Sequence, residues 1–172
     1  DGPWYISCDY GTVNPTSMGL WGQKGGVWYR TAEFYYDSRK TGRQQTDGEY
    51  ADDLARLAGG RDIRGVVLDP SAASFREELI RRGWMVYRAE NEVLSGIRRT
   101  AELLRAGQLV ICSPCEDAIR EFGLYRWDTA ATGDRVVKEH DHAMDDIRYF
   151  AVTVAGRRSE GFFAGAVERG GG

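Results

Sequence analysis

The sequence predicts an α/β domain: a mixed β-sheet opened by three antiparallel strands, continued by alternating strands and helices, and flanked by helices. Three observations predict it. The first third of the chain consists of aromatic and β-branched runs parted by turn residues. Beyond it, segments of helical period alternate with short apolar runs. The composition, 42% hydrophobic and 28% charged over 172 residues, suits one domain able to bury a sizeable core. That domain is expected over residues 1–155, with a flexible C-terminal tail over 156–172.

The run Trp4-Tyr5-Ile6-Ser7-Cys8-Asp9 forms the first strand. Turn residues in Tyr10-Gly11-Thr12-Val13-Asn14-Pro15 stop it, which sets Asp9 at its C-terminal end. Ser17–Gly22 and Val27–Tyr36 follow as strands, joined at Lys24-Gly25-Gly26 by a hairpin turn. The polar, basic stretch Asp37–Thr46 is expected to be a loop. Asp47–Ala58 carries Tyr50, Ala51, Leu54, Ala55, Leu57 and Ala58 near helical spacing. Val66–Asp69 is a short buried strand, and Pro70-Ser71 opens a helix through Arg82. Trp84–Arg88 is a strand, Glu92–Arg105 a helix, Leu109–Cys112 a strand and Cys115–Phe122 a helix. A polar loop covers Asp128–Asp141, and a last helix runs from Asp141 or His142 to Val154.

A formal net charge of −3 excludes a simple basic nucleic-acid clamp. No apolar run approaches the roughly 18 residues of a membrane helix, so a soluble protein with no membrane partner is expected. The start Asp1-Gly2-Pro3-Trp4 lacks the pattern of a signal peptide, and an odd number of cysteines argues against a disulfide framework. The abrupt start and the Gly170-Gly171-Gly172 end are those expected of a piece of something longer.

Chemistry concentrates at three places. Asp9 and Asp69 each end a strand, where open α/β sheets bind ligands, and they converge if their strands are neighbours. Asp69-Pro70-Ser71 also fits a plain helix cap. The third place is His140-Asp141-His142, followed by Asp145 and Asp146. On a helix His142 shares a face with Asp145 and Asp146, while Ile147, Phe150, Ala151 and Val154 form the docking stripe. A solvated helix start would account for these acids too, since the dipole favours them there. Carboxylates from three separate elements with few imidazoles suit Mg²⁺ or Mn²⁺ rather than zinc. Two such ions can drive phosphodiester hydrolysis. Asp9, Asp69 and Asp145 would supply the ligands, and His142 would orient the water or take its proton.

Cys8-Asp9-Tyr10-Gly11-Thr12-Val13-Asn14-Pro15-Thr16, Leu68-Asp69-Pro70-Ser71-Ala72-Ala73-Ser74-Phe75 and Asp141-His142-Ala143-Met144-Asp145-Asp146-Ile147-Arg148-Tyr149 resemble three signature stretches of one family. They are similar to the C-terminal nuclease domain of tailed-phage terminase large subunits, the DNA-packaging motors. Asn91–Arg98, Glu121–Asp128 and Lys138-Glu139 resemble it as well. The resemblance runs from about Trp4 to Val154 and implies a ribonuclease H-like fold. It also implies a two-metal endonuclease, using Mg²⁺ or Mn²⁺, that cuts concatemeric viral DNA at packaging. The family's metal acids fall on Asp9, Asp69 and Asp145 and its helix histidine on His142. A small residue usually follows the last acid. Here Asp146 follows, so either acid could hold the metal. Implied partners are double-stranded DNA, the terminase ATPase domain, the small subunit and the portal protein, in the cytoplasm of the infected host cell. The phosphate-binding motif G-x-x-x-x-G-K-[ST] of a motor half does not occur in this sequence.

Arg39, Lys40 and Arg43 form a basic loop suited to a DNA backbone, and Lys138 is a further phosphate candidate near the acids. Cys112-Ser113-Pro114-Cys115 has redox-motif spacing but no second pair for a zinc ribbon. Phe162-Phe163 in the tail could dock on the domain or on a partner. Two alternatives stand beside the nuclease: a non-catalytic portal or DNA docking module, and an actin-like or sugar-kinase-type phosphate-binding domain suggested by Asp9-Tyr10-Gly11-Thr12.

Overall fold

The structure, a computed structural model, describes residues 2–124 and 141–157. Lys138, most of the expected polar loop and nearly all of the expected tail lie outside the described residues.

The antiparallel opening is a meander of β1 (Trp4–Asp9), β2 (Thr16–Lys24) and β3 (Val27–Tyr36). The expected loop that follows contains one short helix, α1 (Ser38–Thr41). Its cause is local: the Asp37 carboxylate accepts the Arg39 N–H, and Gly42 closes the turn at φ 71°. After α2 (Asp47–Ala58) come β4 (Ile63–Leu68), α3 (Ala73–Arg81), β5 (Val86–Arg88), α4 (Val93–Arg105), β6 (Leu109–Ile111), α5 (Glu116–Leu124) and α6 (His142–Phe150). The strands run in the order β5-β4-β1-β2-β3-β6. β1 pairs antiparallel with β2 and parallel with β4, while β5 and β6 add in parallel at the two edges.

Side chains alternate across β1 and so serve two cores. Ile6 and Cys8 face a core with Tyr50 and Leu54 of α2 and Phe75 and Leu79 of α3. Tyr5 faces the opposite core, where Trp21 and Trp28 meet Ile147 and Phe150 of α6. The last helix does not continue as α-helix to Val154. It widens into a π-helical segment, Ala151–Ala155, where the Gly156 N–H reaches the Ala151 carbonyl five residues back.

Candidate metal centre

The register decides where the acids meet. Cys8 of β1 lies opposite Leu68 of β4, so Asp9 and Asp69 leave neighbouring strands at the next residue. α6 then lies over β1 in three rungs. Tyr5 packs on Phe150 at 6.3 Å between ring centroids, the Ser7 hydroxyl donates to Asp146 at 2.6 Å, and Asp9 meets His142 at 3.0 Å. Two residues of strand rise about 6.7 Å and four residues of helix about 6 Å, so the steps match and the helix runs antiparallel to the strand. Asp145 sits beside this line of contact, on the face that also carries His142 and Tyr149.

A cavity of about 620 Å³ opens at these strand ends. Asp9, Asp69, Asp141, Asp145, His142 and Tyr149 are among the residues that line it, as is Arg39. Sequence reasoning thus named five residues that the fold brings together: Asp9, Asp69, Asp145, His142 and Arg39. Lys40 and Arg43 do not line the cavity. Lys40 is exposed, and Arg43 is paired with Glu49.

Asp146 is elsewhere. It is fully buried, and its oxygens accept from the hydroxyls of Ser7 (2.6 Å) and Ser17 (2.5 Å) and from both terminal nitrogens of Arg30. It does not line the cavity. Neighbours on a helix lie about 100° apart, and here Asp145 faces the opening while Asp146 faces the sheet. Of the two acids, Asp145 is therefore the one placed to reach an ion in the cavity. The Arg30 guanidinium reaches Asp146 across Gly19, where any Cβ would stand 1.8 Å from Nη1.

Asp9, Asp69 and Asp145 each have their own donor. Nδ1 of His142 is 3.0 Å from Asp9 Oδ2. The Ser71 N–H and the Tyr149 hydroxyl each donate to Asp69 at 2.7 Å. Arg148 donates to Asp145 at 3.0 Å and is itself tied to the carbonyls of Asn91 and Glu92. The expected capping role of Asp69 is thus present in part, as an Asx turn onto Ser71.

Burial pushes the Asp9 carboxyl up to about 6, against the opposing hydrogen bond from His142. Burial acts downward on His142, but the hydrogen bond and charge of Asp9 outweigh it and hold the imidazole above its ordinary value. At Asp69 burial acts upward, yet the donors at Ser71 and Tyr149 prevail and lower it. The helix start needs a cap that Asp141 does not give. Glu121 of α5 supplies it from a distance, accepting the N–H groups of Ala143 (2.7 Å) and Met144 (3.0 Å) and the Tyr35 hydroxyl (2.9 Å).

Sequence reasoning missed Tyr149, Glu121, Arg30 and Arg148. Tyr149 was findable, because it falls four residues after Asp145 and seven after His142, on one helical face. Arg148 was findable too, three residues after Asp145, whereas Glu121 and Arg30 act across the fold and leave no local period.

A set of carboxylates and one imidazole is hard in character and suits a divalent ion held by oxygen. As they stand, no three His, Cys, Asp or Glu side chains among the described residues could share one ion. Each carboxylate rests instead on the donor just named. The residues fit a hard divalent ion in kind and in sharing one cavity, and binding it requires them to exchange part of those contacts.

No protein-family profile matches the chain, and no curated protein does. Solved structures do. The large terminase of a thermophilic bacteriophage, in complex with ADP, is 43% identical with a TM-score of 0.86, over 88% of this chain and 39% of that one. This chain therefore spans about two fifths of that protein. The P22 large terminase nuclease domain matches at TM-score 0.68 and 17% identity, over 89% of this chain and 86% of the other. The large terminase nuclease from the thermophilic phage G20c with bound cobalt matches at 0.64 and 16%, over 88% and 81%. The fold they share is ribonuclease H-like. On these grounds the chain is similar to the nuclease part of terminase large subunits and has the fold of their nuclease domains.

Proposed function

We propose that this chain is a metal-dependent DNA endonuclease that cuts concatemeric viral DNA during genome packaging. One observation carries the reading: Asp9, Asp69, Asp145 and His142, drawn from three elements far apart in sequence, line one cavity at the carboxyl ends of β1 and β4. The nuclease domains among the similar structures, one with bound cobalt, support it.

Asp9, Asp69 and Asp145 would hold two Mg²⁺ or Mn²⁺ ions. When bound, such ions activate a water and stabilise the leaving oxygen of a phosphodiester. The chain's own groups do the rest. With Nδ1 engaged by Asp9, His142 has Nε2 left to hold or take a proton at the attacking water. Arg39 in the cavity lining would meet a backbone phosphate, and Lys40, Arg43 and Lys138 are proposed as outer DNA contacts. The ATPase domain, the small subunit and the portal protein are proposed partners, in the host-cell cytoplasm.

The test is nicking of supercoiled plasmid with Mg²⁺, with Mn²⁺ and with EDTA, beside Asp69→Asn. Cutting is expected only with metal. Asp69→Asn should reduce it by on the order of 100-fold or more, because a Lewis-acid metal contributes several kcal/mol. Parental cutting by that variant would exclude the assignment. A folded parent that cuts under no metal would favour the docking module.

A further inference from the structure

Tyr149 lines the cavity, yet the proposed reaction makes no use of its chemistry. It is 4% exposed, and its ring is packed against Val67 and Ala89. The guanidinium of Arg148 lies 4.9 Å from the ring centroid. Its hydroxyl ends in the cavity, 2.7 Å from Asp69 Oδ2. The other oxygen of Asp69 takes the Ser71 N–H at 2.7 Å. Asp69 follows β4 in a turn, so backbone pairing no longer fixes its carboxylate. Two donors do so instead, one from its own turn and one from α6.

The same helix carries the donors of the other acids: His142 for Asp9 and Arg148 for Asp145. All three carboxylates are therefore referenced to α6, and Tyr149 supplies the hydrogen bond that ties Asp69 to it.

We propose that Tyr149 is a positioning residue for the metal centre: by donating to Asp69 Oδ2 it fixes which lone pairs of that carboxylate face the cavity. Groups that hydrogen-bond a metal-ligating carboxylate orient it and tune its basicity, and losing one typically costs roughly 10–100-fold in metal affinity or activity. The inference rests on Asp69 being a metal ligand, as in the function proposed above.

Tyr149→Phe deletes the hydroxyl and keeps the ring, so the packing on Val67 and Ala89 survives. Mn²⁺ binding to the 172-residue chain is measured by titration calorimetry for the parent, Tyr149→Phe and Asp69→Asn. Melting in EDTA and the Mn²⁺ dependence of plasmid nicking are followed alongside. The expected result is Mn²⁺ affinity lower by about tenfold or more in Tyr149→Phe, nicking restored by raised Mn²⁺, and little change of melting in EDTA. A purely structural tyrosine would give the reverse: lower melting in EDTA with Mn²⁺ affinity equal to the parent's. That result overturns the proposal. The Asp69→Asn arm separates the two levels. Loss of Mn²⁺ binding there with an unaffected Tyr149→Phe refutes the tyrosine's role alone. Parental Mn²⁺ binding by Asp69→Asn refutes the metal assignment, and the tyrosine's role with it.

Discussion

Two adjacent aspartates of α6 have opposite tasks. Asp145 lines the cavity, whereas Asp146 is wholly buried against Arg30, Ser7 and Ser17. Removing one partner of a buried ion pair strands the other charge, at a cost of about 3–5 kcal/mol. Asp146→Ala should therefore destabilise the fold by that amount in urea denaturation. Asp145→Asn, which keeps an acceptor for Arg148, should cost less stability than this and abolish metal-dependent nicking. Similar stability losses for the two would contradict the division of labour. Gly19 belongs to the same cluster. An added methyl there would press on the Arg30 guanidinium, which is buried and pinned between Asp146 and Glu33. Gly19→Ala should cost several kcal/mol by crowding a close-packed site, whereas the same change at exposed Gly123, which has open space around it, should not.

At the level of elements, α6 holds the site because its four-residue step matches the two-residue step of β1. Its amphipathic stripe was readable in advance, since Ile147, Phe150 and Ala151 recur at helical spacing. The π-helical end was not, because it arises where the helix lies against α4 and Arg99 donates to the Gly156 carbonyl at 2.9 Å. The cap was not readable either. Glu121 reaches the start of α6 from a helix more than twenty residues upstream. Burial lifts this carboxyl from 4.5 to about 7, against the donors that favour its ionised form. A folded-state value above the unfolded one means that stability from this group is fully present below about pH 4.5 and is lost as pH rises through about 7. Glu121→Gln stays neutral throughout. Its stability difference from the parent should therefore move in its own favour between about pH 4.5 and about 7.5, as read by urea denaturation at several pH values. A difference independent of pH would show that Glu121 is ionised at the helix start across that range.

Taken as a whole, the molecule places acids from β1, from the turn after β4 and from α6 at one end of a single sheet. Bringing like charges together costs stability, which a bound cation should return. Saturating Mn²⁺ at about 100 times its dissociation constant should stabilise the fold by about 2.7 kcal/mol. For a chain of this size that is several degrees of melting temperature. EDTA should reverse the shift, and Asp69→Asn and Asp145→Asn should lose it. An unchanged melting temperature in the parent would mean that the acids do not converge on metal in this chain.

The amino-acid order by itself determined the nature and sequence of the elements. β1, β3 and α2 lie where apolar period and turn residues set them, because those signals depend on neighbours within a few residues. It also determined that acids stand at two strand ends and at one helix start. Tertiary structure alone decided that β1 and β4 are adjacent and in register, so that Asp9 and Asp69 share one cavity. It alone turned Asp146 inward and Asp145 outward, and it brought Arg30, Glu121 and Tyr149 to the positions that hold the centre. Each of those outcomes depends on a contact between residues distant in the chain. A local period cannot encode such contacts, because the packing of α6 across the sheet selects them.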